Sequence, residues 1–223
     1  MNLRGLQIRL TKLCFRNKLH HLGSYFSALP IIYKIYKNID DKDVFILSSG
    51  HAAVALYVVL EDKYGLDAQE MIDKFGDHPK MSAPHRIFCS TGSLGMGIAV
   101  STGFALADST RDVHVVMSDG ECAEGSVWES LRFKEENNLS NLKVYVNANG
   151  FCAYDKVNLN SLSKRLKSFC KDIRFIETNS CVIPCLNGLE AHYKCMDEED
   201  YDEALRHLCE DEAEYYVEAA CSE

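Results

Sequence analysis

Asp119 and Asn149 are the residues whose types and spacing point most directly to chemistry. Asp119-Gly120 stands where VHVVM (113–117) ends, a β-branched apolar run that reads as a buried strand. A polar, helical segment follows, then LKVYV (142–146), a second strand, with Asn149 just beyond it. Strand, crossover helix and strand make a βαβ unit whose two strand ends open on one edge of a parallel sheet. The topology therefore sets residues 119 and 149 side by side, although thirty positions separate them. Ligands of such sheets bind outside the carboxyl ends of the strands. A carboxylate, an amide oxygen and a nearby backbone carbonyl are hard oxygen ligands that suit Mg²⁺ or Ca²⁺, and Mg²⁺ commonly shares its sphere with substrate phosphates. Asp-Gly and Asn-Gly are also common turn dipeptides, and on their own they are more often only turns.

The same elements carry three histidines and a glycine-rich run. VFILS is a strand, Ser48 to Gly50 a turn, and HAAVALYVVLEDKYG a helix whose first residue is His51. A helix N-terminus disfavours positive charge, so His51 tends towards the neutral imidazole that hydrogen-bonds substrate oxygens. His21 lies beside the Gly23-Ser24 break, between a helix over 3–19 and a second that starts with Ser27 as N-cap. A histidine there is more often a structural hydrogen-bonder than a catalyst. His78 sits in the loop-like, proline-containing stretch 77–88, and His85 nearby reads as a surface residue. Gly92, Gly95 and Gly97 open a small-residue helix and permit close backbone approach to a ligand. Glu124 opens a helix over 124–138, where the dipole favours an acid.

At 223 residues with 47% hydrophobic and 26% charged residues, the chain has the composition of a soluble globular protein with a sizeable core. The alternation of strand and helix predicts an α/β fold: a doubly wound, mostly parallel sheet with helices on both faces, in a single domain over 1–223. IRFIET (173–178) and EYYVEAA (214–220) are the further strands, and helices are expected within 156–172 and over 197–210. No apolar run approaches the ~20 residues that span a bilayer. The basic amphipathic opening LRGLQIRLTKLCFRNKLHH reads as a packed first helix rather than a leader. A formal net charge of −9 argues against a nucleic-acid surface. Ten cysteines at scattered spacing read as free, mostly buried thiols, which suits a cytoplasmic protein. Cys181, Cys185, His192 and Cys195 have spacings loosely like a zinc knuckle, but thiols lining a strand-to-helix crossover are the better reading; the same crossover would bring His192 towards the strand ends.

Four ordered segments resemble the transketolase family. His21-Leu22-Gly23-Ser24-Tyr25-Phe26-Ser27-Ala28 is similar to its GHxGGSLSA segment, SSGHAAVALY to LSKGHAAPALY, and STGSLGMG to STGSLGxG. Asp119-Gly120 followed by Asn149 resembles the thiamine diphosphate motif, GDG, about thirty residues, then Asn, with Ser118 in place of the first Gly. The resemblance implies a diphosphate-side module that uses thiamine diphosphate and Mg²⁺ (or Ca²⁺). Asp119, Asn149 and the carbonyl of Phe151 would hold the metal. His51, Gly92, Ser93, Leu94, Asp119, Gly120, Glu121 and Asn149 would contact the cofactor. His21, His51 and His78 would handle protons on substrate hydroxyls, and Glu124 would join a carboxylate network at a subunit interface. Ser118 is expected to weaken the cofactor turn, because Ser is restricted where φ is positive.

The pyrimidine-side half that such enzymes require is missing after Glu223. The resemblance thus implies one subunit of a split enzyme, a heterotetramer with a pyrimidine-side chain, that transfers a two-carbon ketol unit from a ketose or ketose phosphate to an aldose. The α subunit of a 2-oxo acid dehydrogenase shares the metal motif, but the HLGSYFS and STGSLG segments favour transketolase. A non-catalytic regulatory or binding chain of the same fold is the other alternative.

Overall fold

The computed structural model describes residues 1–152, 155–179, 182–186 and 193–210. Among the described residues four strands, β1 (Val44–Leu47), β2 (Val113–Ser118), β3 (Leu142–Ala148) and β4 (Arg174–Glu177), form one sheet in that order. Every pairing is parallel, with Leu47 beside Val116, Ser118 beside Asn147 and Ala148 beside Glu177. The strand expected over 214–220 lies outside the described residues.

Eight helices accompany the sheet among the described residues: α1 (Leu3–Arg16), α2 (Leu22–Asn38), α3 (Ala53–Tyr64), α4 (Ala68–Phe75), α5 (Met96–Ala107), α6 (Gly125–Glu136), α7 (Leu159–Phe169) and α8 (Glu198–Glu210). None is long and apolar enough to cross a membrane. The chain divides into two compact units. One comprises Met1–Tyr36, His51–Asp77 and Thr178–Glu223 and is helical in its described part; the other, Lys37–Gly50 and His78–Glu177, holds the sheet.

In the sheet unit the period-2 pattern does the sorting. Val44, Ile46, Val113, Val115, Met117, Leu142, Val144 and Val146 project to one face and are buried. They meet Ile98 and Ala105 of α5, Val127 and Leu131 of α6, and Leu162 and Leu166 of α7. On the other face Phe45, Leu47 and Val116 are buried too, so β1 reads as a continuous apolar run, while half-buried His114 interrupts β2.

In the helical unit α1 is the packed amphipathic helix expected, burying Leu6, Leu10, Leu13 and Cys14. Asn2 caps its start through the Gly5 N–H, and the Arg9 guanidinium grips Glu61 of α3 with two bonds of 2.7 and 2.8 Å. The next helix departs from expectation. α2 starts at Leu22, so Gly23-Ser24 lie in its first turn, where the N–H groups lack intrahelical partners anyway and a glycine costs little. The break falls at 17–21 instead, with Lys18 (φ 49°) and His21 (φ 62°) in the left-handed region. Ser27 is therefore not an N-cap but a buried mid-helix serine, its hydroxyl donating to the Ser24 carbonyl.

In the sheet unit α5 comes very close to the loop after β1. A Cβ at Gly97 would lie 2.5 Å from the Ser48 Cα. Gly97→Ala is expected to cost about 1–3 kcal/mol, as overpacking does, read as a lower midpoint in urea unfolding. An unchanged midpoint would mean that the loop yields.

Candidate functional site

The rim at the carboxyl ends of β1, β2 and β3 is built around Glu121. Its side chain is fully buried, in a short 3₁₀ turn (Gly120–Ala123) that directly follows β2 and Asp119. Glu121 Oε1 accepts from the Ser48 hydroxyl at 2.6 Å and from the Gly95 N–H at 3.0 Å, and Oε2 accepts from the Ser118 N–H at 3.0 Å. Burial raises its carboxyl above the ordinary range, and the three donors pull the other way. Its two oxygens thus hold three donors from three separate stretches of chain. Ser48, which sequence reasoning left as a turn residue, turns out to tie the loop after β1 to this carboxylate. Paired serines just past a strand were the only signal for it.

Asp119 is 2% exposed. Its N–H donates to the Asn147 carbonyl at 3.0 Å, its Oδ1 accepts from the Gly120 N–H at 3.0 Å, and its Oδ2 accepts from the Gly150 N–H at 2.7 Å. Residue 119 is thus bonded to the backbone on either side of Asn149, the juxtaposition that the βαβ topology predicts. Asn149 Oδ1 accepts from the Phe151 N–H at 3.0 Å, and Gly150 takes a φ of 83°, which turns the chain back over the rim. Burial pushes the Asp119 carboxyl up to about 6, while the N–H groups of Gly150 and Gly120 hold it down. These donors are neutral amides, so it is their dipoles that offset the buried charge.

Ser118 does not bring the penalty expected of it. It is the last residue of β2, outside the positive-φ region. Its N–H serves Glu121 Oε2, and its hydroxyl accepts from the Glu121 N–H at 3.2 Å.

Glycines set the clearances around this rim. A Cβ at Gly50 would meet the Thr91 backbone at 2.5 Å, and one at Gly92 (φ 150°) would meet the His78 ring at 2.9 Å. His78, half-buried, is thereby fixed against the GSLG loop. Ser93 in that loop is exposed and Leu94 half-buried. Glu124 is exposed, at the N-cap position before α6 rather than inside the helix.

His21 and His51 come together within the helical unit, their ring centroids 5.6 Å apart. His51 sits in a 3₁₀ turn (Gly50–Ala52), with α3 beginning only at Ala53. Of the loose zinc-knuckle group, Cys181 and His192 lie outside the described residues. Cys195 Sγ lies 3.2 Å from the Lys18 carbonyl and 3.4 Å from His20 Nδ1. Among the described residues eight cysteines, Cys185 and Cys195 included, are free thiols.

A family model described as transketolase, thiamine diphosphate binding domain, matches residues 32–173. An apulose-4-phosphate transketolase subunit from Phocaeicola vulgatus is 30% identical over 190 residues, which cover 74% of this chain and 67% of that protein. Transketolase-like protein 2 of Homo sapiens is 35% identical over 129 residues, 51% of this chain but 20% of its own length. The chain thus spans two thirds of one relative and a fifth of the other. Among solved structures, a transketolase from Leishmania mexicana matches with a TM-score of 0.68 at 15% identity, over 94% of this chain and 41% of that one. That likeness speaks for the fold.

The raised carboxyl of Asp119 has a sign that can be checked. A folded-state value above the unfolded one means that the native state binds this proton more tightly, so stability is lost as pH rises from about 4 through 6. Asp119→Asn removes that loss. The variant, free of metal, is expected to be more stable than wild type at pH 8, by at most roughly 3 kcal/mol, read as a higher thermal midpoint, with the advantage gone at pH 4. A variant less stable at pH 8 would show that Asp119 is not strained in the free chain.

Proposed function

Because the chain belongs to the transketolase thiamine diphosphate-binding domain family, we propose that it is the diphosphate-side subunit of a split transketolase-like enzyme. The observation that carries the reading is the buried Asp119 carboxylate bonded to Gly150 beside Asn149. This is a hard-oxygen set with spare lone pairs, held by neutral amides, the chemistry that a divalent cation on a diphosphate fits. When bound, thiamine diphosphate supplies the electron sink that lets a ketose C2–C3 bond break and a two-carbon ketol unit pass to an aldehyde.

The chain's own residues divide the remaining work. Asp119, Asn149 and the carbonyl of Phe151 would hold Mg²⁺ or Ca²⁺. Gly92, Ser93, Leu94, Gly120 and Glu121 would let the cofactor approach closely, with His51 beside it. His21, His51 and His78 would hold and move protons at substrate hydroxyls and favour the developing oxyanion. Glu124, exposed before α6, would face a neighbouring subunit. The Phocaeicola relative is itself named as one subunit of a transketolase, which supports a second chain; in this reading that chain is pyrimidine-side, completes the site and assembles with this one as a heterotetramer. The reading places the protein in cytoplasmic carbohydrate metabolism, where its cysteines stay reduced. Ser118 lies in β2 outside the positive-φ region, which supports the catalytic reading over a non-catalytic chain.

Calorimetry with Mg²⁺ and thiamine diphosphate tests the metal assignment: Asp119→Ala should abolish binding, and unchanged binding would refute it. The sole tryptophan gives a second readout, since Trp128 Nε1–H donates at 2.9 Å to the carbonyl of Cys122, in the turn that carries Glu121. With a ketose donor and an aldose acceptor the chain alone should show negligible turnover. Strong turnover without a partner would sink the split-enzyme reading, and release of CO₂ from a 2-oxo acid would favour the dehydrogenase class instead.

A further inference from the structure

The outer face of α5 lacks what a solvated helix carries. Over its 12 residues, Met96–Ala107, there is no charged side chain. The hydroxyl residues Ser101 and Thr102 are buried and donate back to the Gly97 and Ile98 carbonyls, so they offer nothing to water. Exposed instead are Met96, Ala99, Gly103 and Leu106, which recur at helical spacing along one stripe. Met96 is 51% and Leu106 56% exposed. Single exposed apolar residues are ordinary, but a contiguous stripe beside a groove marks a surface that another chain covers. The groove measures about 320 Å³ and is open. Ala99, Gly103 and Leu106 of α5 form one wall, and Glu129, Arg132 and Phe133 of α6 the other.

The order of sizes narrows the occupant. Along the stripe the side chains run large, small, small, large. Residues 96 and 106 are equally far from residue 101, and so are 99 and 103. A second α5 laid antiparallel about a two-fold axis at that level sets Ala99 against Gly103, and Met96 against Leu106 at both ends. Small residues at the crossing let two backbones come close, and large ones at the ends fill the grooves beside it. The charges fit as well. An isologous contact must be its own complement, and α6 puts one acid and one base on the groove, Glu129 and Arg132. Arg132 holds Glu136 of its own helix at 2.7 Å, with both side chains more than half exposed. That is a weak surface pair, and the guanidinium keeps donors for a second carboxylate.

We propose that the groove between α5 and α6 is a self-association surface, on which a second copy of this chain docks its own α5 about a two-fold axis. Glu129 of each copy then meets Arg132 of the other at the rim. The inference goes beyond the ketol-transfer reading and does not depend on it, because it names the face that joins two copies whatever reaction they serve.

Sedimentation velocity on the full chain, over a concentration series, tests it. Wild type should pass from the mass of one chain to that of two. Gly103 supplies the decisive variant, because a Cβ there meets no atom within 4 Å, so a longer side chain enters only the groove. Gly103→Gln should keep the helical circular dichroism and thermal midpoint of dilute wild type, since Gln favours helix over Gly. It should nonetheless weaken self-association by roughly ten-fold or more, as disruption at the centre of an interface does. Glu129→Arg and Arg132→Glu should each weaken self-association alone. An equimolar mixture of the two should restore it, because every rim contact then pairs an arginine with a glutamate. If Gly103→Gln fails to fold, the charge variants decide alone. A wild-type chain that stays single leaves the groove to a different partner and overturns the proposal. A Gly103→Gln chain that pairs as well as wild type, or a mixture no better than its components, overturns it too and places any pairing on another surface. Thiamine diphosphate binding enters none of these readouts, so the cofactor reading stands or falls separately.

Discussion

One buried carboxylate holds the rim of the sheet together. Glu121 draws donors from three separate stretches, the hydroxyl of Ser48 after β1, the N–H of Gly95 before α5 and the N–H of Ser118 at the end of β2. Out of water an acceptor of this strength must be satisfied, and the cheapest way is to fix three backbones around it. Attraction alone would not set the distances. Gly97 against Ser48, Gly50 against Thr91 and Gly95 against Glu124 and Ser126 supply the matching clearance, since a Cβ at any of them would stand less than 3 Å from its neighbour. The rim is thus specified twice, by donors that pull the loops in and by glycines that let them arrive.

Two positions separate Asp119 from Glu121, and the two acids meet different fates. A carboxylate offers roughly four lone-pair sites. Glu121 has three donors, one of them a short hydroxyl bond, while Asp119 receives two amides from the turns at Gly120 and Gly150. Glu121 is consumed by architecture, and Asp119 is left with capacity. The division follows from chain geometry: the 3₁₀ turn after β2 points residue 121 back at β1 and α5, and residue 119 across to the end of β3.

The parallel strands and the meeting of 119 with the 149 turn were legible in the sequence because both rest on coarse, robust signals. These are β-branched runs, their separation by helical stretches, and the topological rule that parallel neighbours end at one edge. What was not legible depends on individual side chains. The boundary between α1 and α2 was expected a few residues late, at Gly23-Ser24, because Lys18 and His21, rather than a glycine, occupy the left-handed positions. Ser48 and the full commitment of Glu121 escaped notice because a hydroxyl and a carboxylate 73 residues apart meet only once the sheet exists. The penalty assigned to Ser118 assumed a positive φ that the end of β2 does not require.

Buried polar groups are not satisfied alike within either unit. In the sheet unit Glu121 holds three donors on its two oxygens, while the neighbouring Ser49 hydroxyl has no partner among the described residues. In the helical unit Arg9 and Glu61 satisfy each other with two bonds between α1 and α3, yet Tyr25 and Tyr57 are held without partners in the interior. A stable domain can carry a few unpaired hydroxyls, each costing roughly 1–3 kcal/mol, only if its remaining burial is generous. The fully buried Leu6, Leu10, Phe26, Leu29, Ile32 and Leu60 provide that reserve. Burial disfavours the charge on Asp119, so a cation bound to its carboxylate would return stability there.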